Sequence, residues 1–207
     1  MKKLAVIDID GTITDFYKVD SEIISKLYGK SRLVRLLDKL LWKINSLDLI
    51  TNRFIIFKLR ILLYSLLTGK KYRKSMAFYK REYIRVAKEY LHSFMNTEYD
   101  CLKSKGIEVI LLTCDPFDAF CGESVTVVQD KFRYVRDNVA KKYDVLNIIG
   151  NNYMDDIRIG LKLRDASDIS CVIQIFYVGN SSVIKRLVKN KNVVVYSTIK
   201  ETIATIC

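Results

Sequence analysis

The chain has 207 residues, half of them apolar and 28% charged, with a formal net charge of +12. That size and balance fit one globular domain, or one domain carrying an insertion, and a single Pro with eight Gly excludes a long linker or disordered tract. Five cysteines, without a C-x-x-C pair, exclude a disulfide framework or a structural zinc site and fit a reducing cytoplasm. The basic excess predicts a surface that attracts anions.

In chain order, "LAVI" (4–7) reads as a short buried strand, followed at once by the turn "DIDGT". No leader peptide is expected, because the first apolar run is only four residues long and closes on acids. From about Phe16 to about Thr97 the pattern is helical. "SRLVRLLDKLLWKI" places Leu33, Leu37, Leu40 and Ile44 on one face and Arg32, Arg35, Lys39 and Lys43 on another. A second helix is expected over 53–67. Its apolar stretch carries Lys58 and Arg60 and is shorter than a bilayer span, so a transmembrane helix is not expected. A third helix, 71–95, bears Tyr72, Met76, Tyr79, Tyr83, Val86, Tyr90 and Phe94 on one stripe, read as core rather than as a base-stacking platform.

After Gly106 strands and helices alternate. Strands are expected at 107–113, 145–150, 170–179 and 192–197, and helices at 131–143, 181–190 and 198–206. Ser197 or Thr198 is expected to cap the last helix, and Asn180 or Ser181 the one before it. Such alternation predicts a parallel sheet between helices. The predicted organisation is an α/β core from 1–15 and 98–207, interrupted after its first strand by an all-helical segment, 16–97.

Two stretches carry the chemistry. In "LAVIDIDGTITD", Asp8 and Asp10 lie two apart directly beyond a buried strand, at the carboxyl edge where open α/β sheets bind ligands. In "NIIGNNYMDD" (147–156), an apolar run stops at Gly150 and two asparagines precede Asp155 and Asp156. Neighbouring carboxylates repel, so a cation or a Lys/Arg is expected opposite them.

The stretch "DIDGTIT" (8–14) resembles the first motif, D-x-D-G-T-x-T, of the haloacid dehalogenase superfamily of phosphohydrolases. Three further motifs of that family have counterparts in order: Thr113 ending the strand "VILLT", Lys131 opening a helix, and "GNNYMD" (150–155) in place of G-D-x-x-x-D. The likeness spans the chain and is greatest to the phosphoserine-phosphatase-like branch. It implies a Rossmannoid core with 16–97 as a C1-type helical cap.

The resemblance also implies a magnesium-dependent phosphomonoester hydrolase. Asp8 would be the nucleophile and Asp10 the general acid and base. Thr113, Lys131, Gly11 and Thr12 would bind the phosphoryl group. Mg²⁺ would be held by Asp8, Asp10 through its backbone carbonyl, Asp155 and Asn151, with Asp156 a neighbouring or alternative ligand. Asn151 departs from the pattern, since it stands where a carboxylate is expected. The alternative reading is therefore a weakened module retained for binding nucleic acid or an anionic membrane surface.

Residues 16–100 hold eighteen Lys/Arg against eight Asp/Glu. The expected ligand is a phosphorylated small molecule; a lipid phosphate, an anionic membrane surface or a nucleic-acid end are the other anions this basic segment fits. His92, the only histidine, is read as structural, and nothing in the sequence activates Cys114 beside Thr113.

Overall fold

Apolar runs too short for helices and rich in Ile and Val pair into one sheet, as buried parallel strands require. The architecture is described from a computed structural model covering residues 1–29, 31–45, 53–114 and 124–207; for 16–17, 42–45 and 53–56 the backbone alone is described. The elements are β1 (Lys3–Asp8), α1 (Phe16–Tyr28), α2 (Arg32–Asn45), α3 (Arg53–Leu67), α4 (Tyr72–Phe94), α5 (Asp100–Ser104), β2 (Ile107–Thr113) and β3 (Thr126–Val127). They continue as α6 (Lys131–Asn138), β4 (Val145–Gly150), α7 (Arg158–Asp165), β5 (Val172–Val178), α8 (Ser182–Val188), β6 (Val193–Tyr196) and α9 (Ile199–Ile206).

The six strands are all parallel, in the order β3-β2-β1-β4-β5-β6. Side chains of β1 alternate between two cores. Ala5 and Ile7 join a cluster with residues of α1–α5 and α9, whereas Leu4 and Val6 join one built from α6, α7 and α8. The first cluster runs without a gap from the sheet into the helices between β1 and β2, through Ile9, Ile23, Ile61, Tyr79 and Tyr83.

Several expected boundaries move. Helix α6 stops at Asn138, and Ala140–Lys142 winds as a separate 3-10 turn because Val139 leaves helical geometry. Both β3, only two residues long, and α7, whose pattern contains Gly160, escape the sequence reading. No break in the helix marks residue 97, since α4 continues through a π-helical turn, Met95–Tyr99, into α5. Thr198 caps α9 in a reciprocal capping box with Glu201.

In α2 the expected face is rotated. Val34 and Asp38 are buried with Leu37 and Leu41 against them, while Leu33 and Leu40 are exposed. The cause is polar. The Asp38 carboxylate accepts from the Tyr64 hydroxyl at 2.9 Å and lies 3.6 Å from Arg60 Nε, which turns that edge of α2 inward. Arg60 also pairs with fully buried Asp20, to which the Tyr79 hydroxyl donates at 2.6 Å. Burial opposes the Arg60 charge, but Asp20 and Asp38 outweigh it and hold its pKa above the usual value. This cluster ties α1, α2, α3 and α4 together. Among the described residues no helix is long and apolar enough to cross a membrane.

Candidate active site

Residue pairing levels the carboxyl ends of three strands. Asp8 pairs with Leu112, so Thr113 lies one step beyond, and Ile7 pairs with Ile149, which sets Asp8 beside Gly150. The chain leaves β1 toward β2 and leaves β4 toward β5, in opposite directions, so a crevice opens between β1 and β4 at this edge. The Ile9 carbonyl closes the turn after β1 by accepting from the amides of Thr12, Ile13 and Thr14 at 3.2, 3.0 and 3.0 Å. Gly11 sits there at φ +90, where L side chains are strained, and a Cβ would come within 2.0 Å of Asn151 Nδ2. The Gly11 amide donates to Thr14 Oγ1 at 3.1 Å, and that hydroxyl donates on to the Ile9 carbonyl at 3.2 Å. Gly11 thus supplies the shape of the turn, and its N–H is already engaged.

Asp8 is buried and bonded on both oxygens. Thr12 Oγ1 donates to Oδ2 at 3.0 Å, and Lys131 Nζ donates to Oδ1 at 2.5 Å. The same Nζ donates to Asp156 Oδ1 at 2.7 Å. Lys131 takes this position because Asp130 caps α6, accepting from the Arg133 amide at 3.0 Å, which makes Lys131 the first helical residue. Burial, and next the Asp156 charge, push the Asp8 carboxyl up to about 7 despite Lys131. Burial works against the Lys131 ammonium, yet Asp156 and Asp8 outweigh it and raise its pKa well above the usual lysine value. Two buried carboxylates share one ammonium, and Asp10 adds a third negative group beside them.

Asp10, half-buried, accepts from Thr113 Oγ1 at 2.8 Å on Oδ2 and from the Tyr83 hydroxyl on Oδ1. Tyr83 comes from α4 and stacks on Tyr79, ring centroids 6.3 Å apart, so the buried Arg60–Asp20 cluster backs the contact to Asp10. Both tyrosines are buried, which removes them as a platform for bases.

The stretch after β4 is organised by Asn152. Its Oδ1 accepts from the Met154 amide at 2.9 Å and caps a π-helical turn, Tyr153–Ile157. Its Nδ2 donates to Asp155 Oδ2 at 2.7 Å and its amide to Asp156 Oδ2 at 3.0 Å. Asp156 is the residue turned inward to Lys131, whereas Asp155 is exposed; the sequence ranks them the other way round. A Cβ at position 150 would lie 2.3 Å from Asp156 Cβ, so Gly150 is what lets Asp156 close over the strand end.

Among the described residues no group of three His, Cys, Asp or Glu is arranged to hold a metal. Carboxylates of Asp8 and Asp156 meet at Lys131, and the amide of Asn151 lies against Gly11 in the turn after β1. Among the described residues Asn151 Oδ1 is buried without a hydrogen-bond partner, which is costly for an amide and fits an acceptor open to a cation. A donor set of oxygens alone suits a hard ion such as Mg²⁺.

A gap of about 10 Å³, bordered by Asp8, Lys131, Asp155 and Asp156, adjoins the site. A larger cavity of about 380 Å³ lies elsewhere, along α4 and the Leu111–Val125 edge; exposed His92 lines it, and none of the expected site residues does. Burial pushes the Cys114 thiol up to about 11, so it is not an activated nucleophile. Tyr83, Thr14 and Asn152 were not singled out by their sequence signal, although Tyr83 lies on the tyrosine stripe and Thr14 within the D-x-D-G-T-x-T match. No family model matches this chain, nor does any curated protein or any solved structure.

Proposed function

We propose that the chain is a magnesium-dependent phosphomonoester hydrolase of the haloacid dehalogenase type, working through an aspartyl phosphate on Asp8. One observation carries this reading: two carboxylates two residues apart at the end of β1, the first held by Lys131 and the second by Thr113 and Tyr83. In this reading the helices between β1 and β2 act as a cap, and Tyr83 is the cap residue that reaches the chemistry. Free thiols at Cys101, Cys114, Cys171 and Cys207 accord with a cytoplasmic setting.

An Asp8 oxygen attacks phosphorus; the new O–P bond forms as the ester P–O bond breaks, and Asp10, which takes up a proton from solvent for this step, hands it to the leaving oxygen. Asp10 then takes a proton from a water whose oxygen attacks the same phosphorus. The acyl phosphate O–P bond breaks, inorganic phosphate departs, and both carboxyls return to their starting states. Lys131 balances the nucleophile before attack and the phosphoryl oxygens after it. Thr113 Oγ1 and Thr12 Oγ1, engaged with Asp10 and Asp8 in the resting site, rotate to donate to phosphoryl oxygens. Asp8, Asp156, Asn151 Oδ1 and the Asp10 carbonyl would hold Mg²⁺, which when bound supplies positive charge to the phosphoryl group.

The alternative of a binding module rests on Asn151 alone. The unpartnered Asn151 oxygen and the shared Lys131 support the enzyme instead. Purified protein with Mg²⁺ is expected to hydrolyse p-nitrophenyl phosphate or acetyl phosphate, and Asp8→Asn to abolish turnover. Turnover that survives the substitution ends the mechanism.

A further inference from the structure

Helix α3 is built inside out. Arg60 is 7% exposed and pairs inward with Asp20, while Leu59, Leu62, Leu63, Leu66 and Leu67 face solvent, Leu59 at 59% and Leu66 at 72%. Positions 59, 62, 63 and 66 follow the helical repeat, so they form one continuous stripe opposite the buried face of Ile61, Tyr64 and Ser65. The neighbouring α2 repeats the theme. Leu33, Leu36 and Leu40 form an exposed row, Leu36 at 68%, and Arg32, Arg35 and Lys39 form a basic row beside it. The Asp38–Tyr64 bond and the Arg60 pairings lock both helices in this orientation, so the leucines cannot roll inward.

We propose that this leucine surface docks on an anionic lipid bilayer, with α2 and α3 lying in the plane of the headgroups. An exposed apolar stripe of this extent marks an interaction site, and the charge around it selects the partner. Residues 16–100 carry eighteen Lys/Arg and eight Asp/Glu, an excess of ten in a chain whose net charge is +12. Lys71, Arg73 and Lys74, at the start of α4, are exposed as well. A second copy seated on this face would bring two basic surfaces together. A polynucleotide would satisfy the charges and leave the leucines in water. An anionic bilayer satisfies both, the leucines entering the acyl boundary and the exposed basic row of α2 meeting lipid phosphate. The fifteen-residue α3 is about 22 Å long, suited to lying along the interface rather than crossing it. This inference is independent of the phosphoryl chemistry, and its failure would leave the Asp8 site untouched.

Flotation of the full chain with vesicles tests it. The protein is expected to float with vesicles of phosphatidylcholine and phosphatidylglycerol in equal parts, not with phosphatidylcholine alone, and to lose binding as salt rises. Leu62→Glu with Leu66→Glu should weaken vesicle binding by about tenfold or more. Because both side chains are exposed, the double variant should keep the wild-type circular dichroism and melting temperature. Leu187→Glu, at an exposed leucine of α8, should bind as the wild type does. No flotation with anionic vesicles overturns the proposal, as does flotation that the double substitution leaves intact. A dimer in sedimentation that the double variant dissolves, without vesicle binding, also overturns it in favour of a second copy.

Discussion

Removing Lys131 should cost stability in a pH-dependent way. Its ammonium is 8% exposed and lies 2.5 Å from Asp8 and 2.7 Å from Asp156, so Lys131→Met leaves two buried carboxylates facing each other. Breaking a buried ion pair by deleting one partner costs about 3–5 kcal/mol. For a chain of this length that is a fall of roughly 6–20 °C in melting temperature. The sign with pH follows from Asp8, whose carboxyl is raised to about 7 even with Lys131 in place. A carboxyl raised on folding contributes stability below its unfolded value and loses it as pH rises through the folded one. Lys131 lowers the Asp8 value, so its removal raises that value further, and the penalty should be larger near about pH 8 than near about pH 5, where the acids take up protons. Thermal melts of both proteins in EDTA at the two pH values measure this. A variant as stable as the wild type near pH 8, or one equally destabilised at both values, would refute the reasoning.

Tyr83→Phe removes the donor on Asp10 Oδ1 and is predicted to lower kcat about tenfold for an alkyl phosphate. The loss should be smaller for p-nitrophenyl phosphate, whose leaving group needs little protonation; equal losses would argue against a role through Asp10. Asn151→Asp should reduce the Mg²⁺ concentration for half-maximal activity, by about tenfold if position 151 is a ligand. No change would place the ligand elsewhere. Cys114 should resist iodoacetamide near neutral pH, since moving a thiol from 9.0 to about 11 cuts its thiolate fraction about a hundredfold. Labelling as fast as an unstructured cysteine would contradict that environment.

The sheet was legible because its strands are uninterrupted apolar runs closed by Gly or acids, as in "LAVID" and "VLNIIG", and because sequence alternation dictates parallel pairing. The spacing of Asp8 and Asp10 was equally plain, being local to one turn. What escaped depends on distant partners. Periodicity shows that α2 is apolar, yet Leu33/Leu40 and Val34/Leu41 are alternative faces, and the bond from Tyr64 to Asp38, 26 residues away, decides between them. Tyr83 reaches Asp10 across 73 residues, a contact no local pattern announces. Which of Asp155 and Asp156 turns inward to Lys131 is set by a π-helical turn capped by Asn152, which local periodicity does not announce.

The central claim, a covalent phosphoryl group on Asp8, can be read directly. During turnover of acetyl phosphate with Mg²⁺, rapid quench and borohydride reduction convert an aspartyl phosphate to homoserine. The account predicts homoserine at position 8, resolved from Asp10 by fragmenting the tryptic peptide 4–18, and none in Asp8→Asn. Turnover without homoserine at position 8, or with homoserine at position 10, would contradict it.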